Sequence, residues 1–273
     1  MMQIITSKEL GNNGRLGNQL FQVAACFGIA ASENKRDIYP KAGVLLPKWD
    51  YIDCLKNKNL ICTNYAFNCP INVYREEAFP YQEITLDSFA KNQTPTDINA
   101  IFGYFQSEKY FKHIDTLMRR LFEPSEEIRQ KLLLKYEPIL SKKTCSIHVR
   151  LGDYVNNPFY EQLSVDYYGN AVATMKSEKQ IDYFLVFSDD IEWCKMNFRA
   201  NGNYVFVEGN SDIEDLFLMS FCKHNIGANS SFSWWGAWLN PHKDKINIFP
   251  KKWFGNDVKL DTKDLYLPTW ITI

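Results

Sequence analysis

Thr144-Cys145-Ser146-Ile147-His148-Val149-Arg150-Leu151-Gly152-Asp153 is a short apolar run that stops at a cation, a glycine and a carboxylate. Its length and its abrupt polar end predict a strand over 144–150 followed by a turn. The pattern recurs at 182–188 (DYFLVFS), 203–208 (NYVFVE), 224–228 (HNIGA) and 245–249 (KINIF). Helical segments are expected between them, over 191–198, 212–222 and 230–239. In the second of these, Ile213, Leu216, Phe217 and Ser220 fall on one face at the helical period. Strands alternating with helices at this spacing predict a parallel, doubly wound sheet.

Polar residues follow the carboxyl ends of these strands: Arg150 and Asp153, then Asp189-Asp190, then Glu208, then Asn229-Ser230-Ser231. Open α/β sheets bind ligands along that edge, so the pattern predicts a cleft. The first half is less regular. A strand at 3–6 leads through Gly11, Gly14 and Gly17 into a helix over about 18–31, with Leu20, Val23, Ala24 and Phe27 inward. Pro and Asn interrupt residues 40–100, and no element is assigned there. Ser107 is expected to cap a helix with Phe111, Ile114, Met118 and Leu121 on its apolar face, and Ser125 another. Residues 124–143 are expected to join the two halves.

The 273 residues are 45% hydrophobic and 15% aromatic, enough for a sizeable core. A formal net charge of −1 gives no electrostatic case for nucleic acid or an anionic membrane. No signal peptide and no run of about 18 apolar residues is seen. The seven cysteines (Cys26, Cys54, Cys62, Cys69, Cys145, Cys194, Cys222) are odd in number and form no C-x-x-C, which fits a reduced, cytoplasmic protein.

Three blocks carry chemistry, each with a plainer reading beside it. Arg150 at a strand end suits phosphate oxygens, and Gly152 allows close backbone approach; an Arg–Asp pair tying down a loop is the alternative. Asn229-Ser230-Ser231 at a helix start offers hydroxyls and free amides to an anion, although a capping serine needs no ligand. Trp234, Trp235 and Trp238 read as core rather than as sugar-stacking surfaces. Gly14-Arg15-Leu16-Gly17-Asn18-Gln19 is neither a Walker loop nor a G-x-G-x-x-G fingerprint, and a plain tight turn explains its glycines equally well. Asp189-Asp190 suits ribose, guanine or a metal, or starts a helix. No Asp-x-Asp occurs, so an Arg and helix amides would have to neutralise a leaving diphosphate.

Together these blocks resemble glycosyltransferase family 11, the α1,2-fucosyltransferases, in their short bacterial form. The resemblance runs from Gly14–Phe21 through Gly103-Tyr104-Phe105-Gln106-Ser107-Glu108-Lys109-Tyr110-Phe111, His148–Tyr154 and Phe187-Ser188-Asp189-Asp190. It closes with Asp215-Leu216-Phe217-Leu218-Met219-Ser220 and Asn229–Trp238. It implies an α/β, GT-B-like fold of two Rossmann-type halves with a donor cleft between them. Residues 1–140 would face the acceptor and residues 141–273 would bind GDP-fucose. It also implies inversion at the anomeric carbon, no divalent metal, and a β-galactoside acceptor. By the same match Arg150 is expected on the β-phosphate, His148 and Asp215 at the guanine, Ser230 and Ser231 at the phosphates, and Asn18 near the fucose. Asp189 and Asn229 are counted with the donor-binding residues. Many members carry a second Arg where this chain has Leu151, which touches only a secondary contact. Arg150 and Asp153 are the catalytic candidates, Asp153 either as base or as the group that orients Arg150. Glu161 and Asp189 are weaker choices of base. A cytoplasmic enzyme is expected, compatible with peripheral contact at the inner membrane if the acceptor is lipid-linked. The rivals are a transferase of another linkage or GDP-sugar, and a glycan- or nucleotide-binding module without turnover.

Overall fold

A computed structural model describes residues 3–32, 42–64, 70–90, 96–198 and 203–273. The chain opens with β1 (Gln3–Ser7), α1 (Leu16–Ser32), β2 (Ala42–Val44), β3 (Asn72–Arg75), α2 (Asp87–Ala90), β4 (Ile98–Phe102) and α3 (Asp115–Leu121). It continues with α4 (Glu126–Leu140), β5 (Thr144–Val149), α5 (Val165–Glu178), β6 (Tyr183–Ser188), α6 (Ile191–Asn197) and β7 (Tyr204–Phe206). It ends with α7 (Asp212–Phe221), β8 (His224–Ile226), α8 (Ser231–Leu239), β9 (Asn247–Phe249) and β10 (Ile271–Thr272).

Two compact units result. The first holds residues 1–125 and Asp261–Leu267, the second Glu126–Leu260 and Pro268–Ile273. The sequence reading drew a line at 140/141. The contacts draw it before α4, because Ile128, Leu132 and Tyr136 of that helix are buried and Lys131 pairs with Glu214 of α7 at 2.5 Å. They also return 261–267 to the first unit, where the Asp264 carboxylate accepts from the Tyr81 amide (3.1 Å) and pairs with Lys109, and its carbonyl accepts from Ser107 Oγ (2.8 Å).

The sheet of the second unit runs β10-β9-β8-β5-β6-β7, every pair parallel. Counted within the unit this is the 3-2-1-4-5-6 order of the dinucleotide-binding fold, with its switch point between β5 and β8. Strand β5 is buried at all six residues, as a central strand covered on both faces must be. Ile147 and Val149 pack with Tyr168, Val172 and Met175 of α5. Trp234, Trp235 and Trp238 are core residues, at most 1% exposed. The sheet of the first unit is smaller, in the order β2-β1-β4-β3, again parallel throughout.

The single helix expected from Ser107 is broken. Ser107 caps a 3-10 turn at 108–110, a second turn occupies 112–114, and only then does α3 begin. Of the six described cysteines four are buried (Cys26, Cys145, Cys194 and Cys222); Cys69 lies outside the described residues. Among the described residues no helix is long and apolar enough to cross a membrane.

Candidate functional site

β5 and β8 diverge at the switch point, and the residues just beyond them form one hydrogen-bonded cluster. Arg150 directly follows β5, with its side chain only 13% exposed. Its Nη1 pairs with Asp189 Oδ2 at 2.8 Å, and its Nη2 with Asp153 Oδ1. Asp189, just past β6, also accepts from the Leu151 amide at 2.9 Å. Its carboxylate lies so close over Gly152 that a Cβ there would collide with Oδ2. The turn after β5 is therefore shaped by Asp189, which holds both the backbone and the cation. Asp190 does the plainer job, capping α6 through the Trp193 amide at 3.0 Å.

Tyr154 links this turn to the second loop. Its ring lies 5.4 Å from the Arg150 guanidinium carbon, and its hydroxyl donates to the Asn229 carbonyl at 3.1 Å. Asn229 uses its Nδ2 on the carbonyls of Glu161 (3.0 Å) and Trp253 (2.7 Å), tying two loops beneath the site, while its Oδ1 is buried without a partner. Ser230 is the N-cap of α8, accepting from the Phe232 amide at 3.3 Å, and Ser231 is that helix's first residue. A nine-residue helix thus points its amide end at the same sheet edge as Arg150.

His148 completes the cluster from inside the sheet. The Ala228 amide donates to Ser233 Oγ (3.1 Å), and that hydroxyl meets His148 Nδ1 at 2.5 Å. The Ser233 hydroxyl thus joins the Ala228 amide of one loop to the imidazole of β5. Burial, reinforced by the nearby Arg150 charge, pushes the imidazole down to about 3. His148 is neutral at physiological pH and can hydrogen-bond a ligand without adding charge. Ser233 was not singled out from sequence, since its reach across to β5 depends on the switch-point topology.

Asp215 belongs to a separate cluster at the start of α7. Asn210 Nδ2 donates to its Oδ1 at 2.9 Å, and Lys135 bonds the Asn210 side-chain oxygen and the Glu208 carbonyl, each at 3.0 Å. Burial lifts Asp215 to about 6, against the Asn210 hydrogen bond that lowers it. An unfolded Asp titrates near 3.9. The folded chain therefore holds this proton more tightly, and its stabilising contribution, complete below the unfolded value, is lost as pH rises through about 6. Asp215→Asn is expected to raise the thermal midpoint at pH 7.5 and to flatten its dependence between pH 4 and 6; an unchanged slope would show that another group titrates there.

Asn18 lies in the first unit, in the opening turn of α1, where Gln106 Nε2 donates to its Oδ1 at 2.6 Å. Among the described residues no group of three or more His, Cys, Asp or Glu side chains is placed to hold a metal ion.

The fold has known counterparts. The O-antigen biosynthesis glycosyltransferase WbnK of Escherichia coli is 30% identical across 96% of this chain and 98% of its own length. An alpha-1,2-colitosyltransferase of Escherichia coli is 32% identical over 100% and 99%. The NodZ alpha-1,6-fucosyltransferase, solved after soaking with GDP-fucose, superposes with a TM-score of 0.53 at 13% identity, over 88% of this chain and 94% of that one. This likeness, with two parallel-sheet units, makes the fold α/β and GT-B-like. The model of Glycosyl transferase family 11 matches residues 3–273. A match that omits only the first two residues, on a fold shared with a fucosyltransferase, makes this chain a member of glycosyl transferase family 11.

Proposed function

We propose that the protein is an inverting α1,2-fucosyltransferase, moving L-fucose from GDP-β-L-fucose to the 2-hydroxyl of a terminal β-galactoside, free or lipid-linked. The observation that carries this reading is the meeting of Arg150 with the amide end of α8 at the switch point, bridged by Tyr154. A planar cation and a helix N-terminus on one sheet edge suit a diphosphate. The neutral His148 imidazole and the Asp215 carboxylate are the assigned contacts for the guanine.

In this scheme Arg150 and the amides at Ser230 and Ser231 take up the negative charge that grows on departing GDP. The sugar passes through an oxocarbenium-like state, and the acceptor hydroxyl attacks from the opposite face. Arg150 meets two carboxylates, and these are not equivalent. Asp189 is 24% exposed and anchored to the Leu151 amide, whereas Asp153 is 51% exposed. Asp153 is the partner a β-phosphate displaces. Once displaced, its carboxylate is the base assigned to take the acceptor proton. Asn18 is assigned to the fucose.

The test is GDP release from GDP-fucose across a panel of β-galactosides, with linkage analysis of the product. Release that requires an acceptor is expected, with an α1,2 product, and undiminished rates in excess EDTA. A rate lost in EDTA and restored by Mn²⁺ would overturn the metal-free scheme. No release with any acceptor would favour a binding module. A second reading, a different GDP-linked deoxysugar, is favoured by the 32% identity to a colitosyltransferase. Colitose is fucose without its 3-hydroxyl, so competing GDP-colitose against GDP-fucose decides between the two.

A further inference from the structure

In the first unit, a carboxylate outside every recognised block organises the loop after β4. Glu76, the residue after β3, bonds through its own amide to the Phe102 carbonyl at 2.9 Å. Its side chain then accepts from two successive amides. Tyr104 N donates to Oε2 at 2.7 Å, and Phe105 N is shared between Oε1 and Oε2, each at 3.1 Å. The loop is bent to fit this carboxylate. Gly103 has φ +152°, and a Cβ there would come within 2.6 Å of Glu76 Oε2. Phe105 is left-handed at φ 53° and fully buried. Burial raises the Glu76 carboxyl above its ordinary value, and the two amides oppose this.

The next residue is Gln106, 8% exposed, whose Nε2 reaches Asn18 Oδ1 at 2.6 Å. Asn18 sits in the first turn of α1, beyond the carboxyl end of β1, on the edge where parallel sheets bind ligands. The loop beneath it is pinned separately. Gln19 Nε2 donates to the Gly14 carbonyl at 3.0 Å while its Oε1 accepts from Trp49 Nε1 at 3.0 Å, and Gln22 Nε2 bonds the Asn13 carbonyl at 2.8 Å. Backbone position is thus set by Gln19 and Gln22. The Asn18 amide is held at its oxygen by Gln106.

We infer that Glu76 and Gln106 are positioning residues: Glu76 shapes the 103–106 loop, and Gln106 helps to hold the Asn18 amide in the orientation in which it meets the transferred sugar. The inference rests on the glycosyl-transfer reading for the identity of what Asn18 meets. A misaligned contact to the reacting sugar costs up to about 10²-fold in rate, while nucleotide contacts made elsewhere are untouched.

The decisive variant is Gln106→Glu. A carboxylate still bonds Asn18, but only by accepting from Nδ2, so the contact survives and the amide reverses. Expected is a kcat lowered by about 10–100-fold, with GDP affinity by calorimetry within about twofold of wild type and little change in the thermal midpoint. Gln106→Leu and Glu76→Gln should lower kcat with the same unchanged GDP affinity. Each combined with Asn18→Ala should be no slower than Asn18→Ala alone, because coupled residues are not additive. Additive losses, near-normal kcat in Gln106→Glu, or GDP affinity falling in step with kcat would each overturn the relay. The Gln106 variants keep the test decisive should Glu76→Gln fail to fold. If the wild type releases GDP from no GDP-sugar, the transferase reading falls by itself. The relay is then judged by thermal unfolding of the Asn18 and Gln106 variants: non-additive midpoint losses support it and additive ones refute it.

Discussion

Arg150→Lys is expected to lower kcat/KM for GDP-fucose by about 10²–10³-fold, the usual cost of removing one preorganised contact to developing charge. The guanidinium forks: Nη1 holds Asp189 and Nη2 holds Asp153, while its plane lies beside the Tyr154 ring. A fork can keep Asp189 and still offer its second arm to a phosphate. An ammonium is a single point of charge and must choose. If it stays with Asp189, the β-phosphate loses its cation. If it leaves, Asp189 loses the cation that balances its charge. Steady-state kinetics with both substrates varied would measure the loss, and turnover close to wild type in the lysine variant would sink the diphosphate role of Arg150.

Asp153→Asn is expected to move affinity and rate in opposite directions. In the free protein Asp153 competes with the incoming diphosphate for one arm of Arg150 and repels it. Unit charges about 8 Å apart interact by roughly 2 kcal/mol at an effective dielectric near 20. Neutralising the side chain should therefore tighten GDP binding, by about tenfold after screening at this half-exposed position. The same change removes the assigned base, for which a loss of about 10²-fold in kcat is usual. Calorimetry with GDP and initial rates with acceptor read the two effects separately. Weaker GDP binding would show that Asp153 serves only to aim Arg150; unchanged kcat would remove it as base.

Much of this second unit was legible before any coordinates, for a physical reason. Strands buried on both faces are mostly apolar, so β6 stands out as a nearly uninterrupted run, and β5, which interleaves Thr144, Ser146 and His148 with Cys145, Ile147 and Val149, stands out by its abrupt charged end. The two aspartates after β6 could not be told apart in sequence, because capping and ion pairing ask for the same residue type; the structure gives Asp190 the cap and Asp189 the cation. Helix α5 was overlooked although Tyr168, Ala171, Val172 and Met175 recur at helical spacing behind Ser164, which caps it. The first unit was harder. Strands β2 and β3 have three and four residues, too short to show a period. Phe111 ends one 3-10 turn and begins the next at φ −135°, a break that an apolar face shared by Phe111 and Ile114 conceals. Glu76 gave no signal, since one acid after a short strand looks like surface. Its role exists only because a loop some thirty residues later folds back over it.

The route of the last residues also limits how this protein can be re-engineered. Because 261–267 packs with the first unit before β10 rejoins the second, no single junction separates the chain into its two folded parts. A hybrid built by fusing the front of one such enzyme to the back of another would import a foreign Asp264 segment opposite Tyr81, Ser107 and Lys109. Exchange of specificity between relatives therefore calls for three splice points, not one.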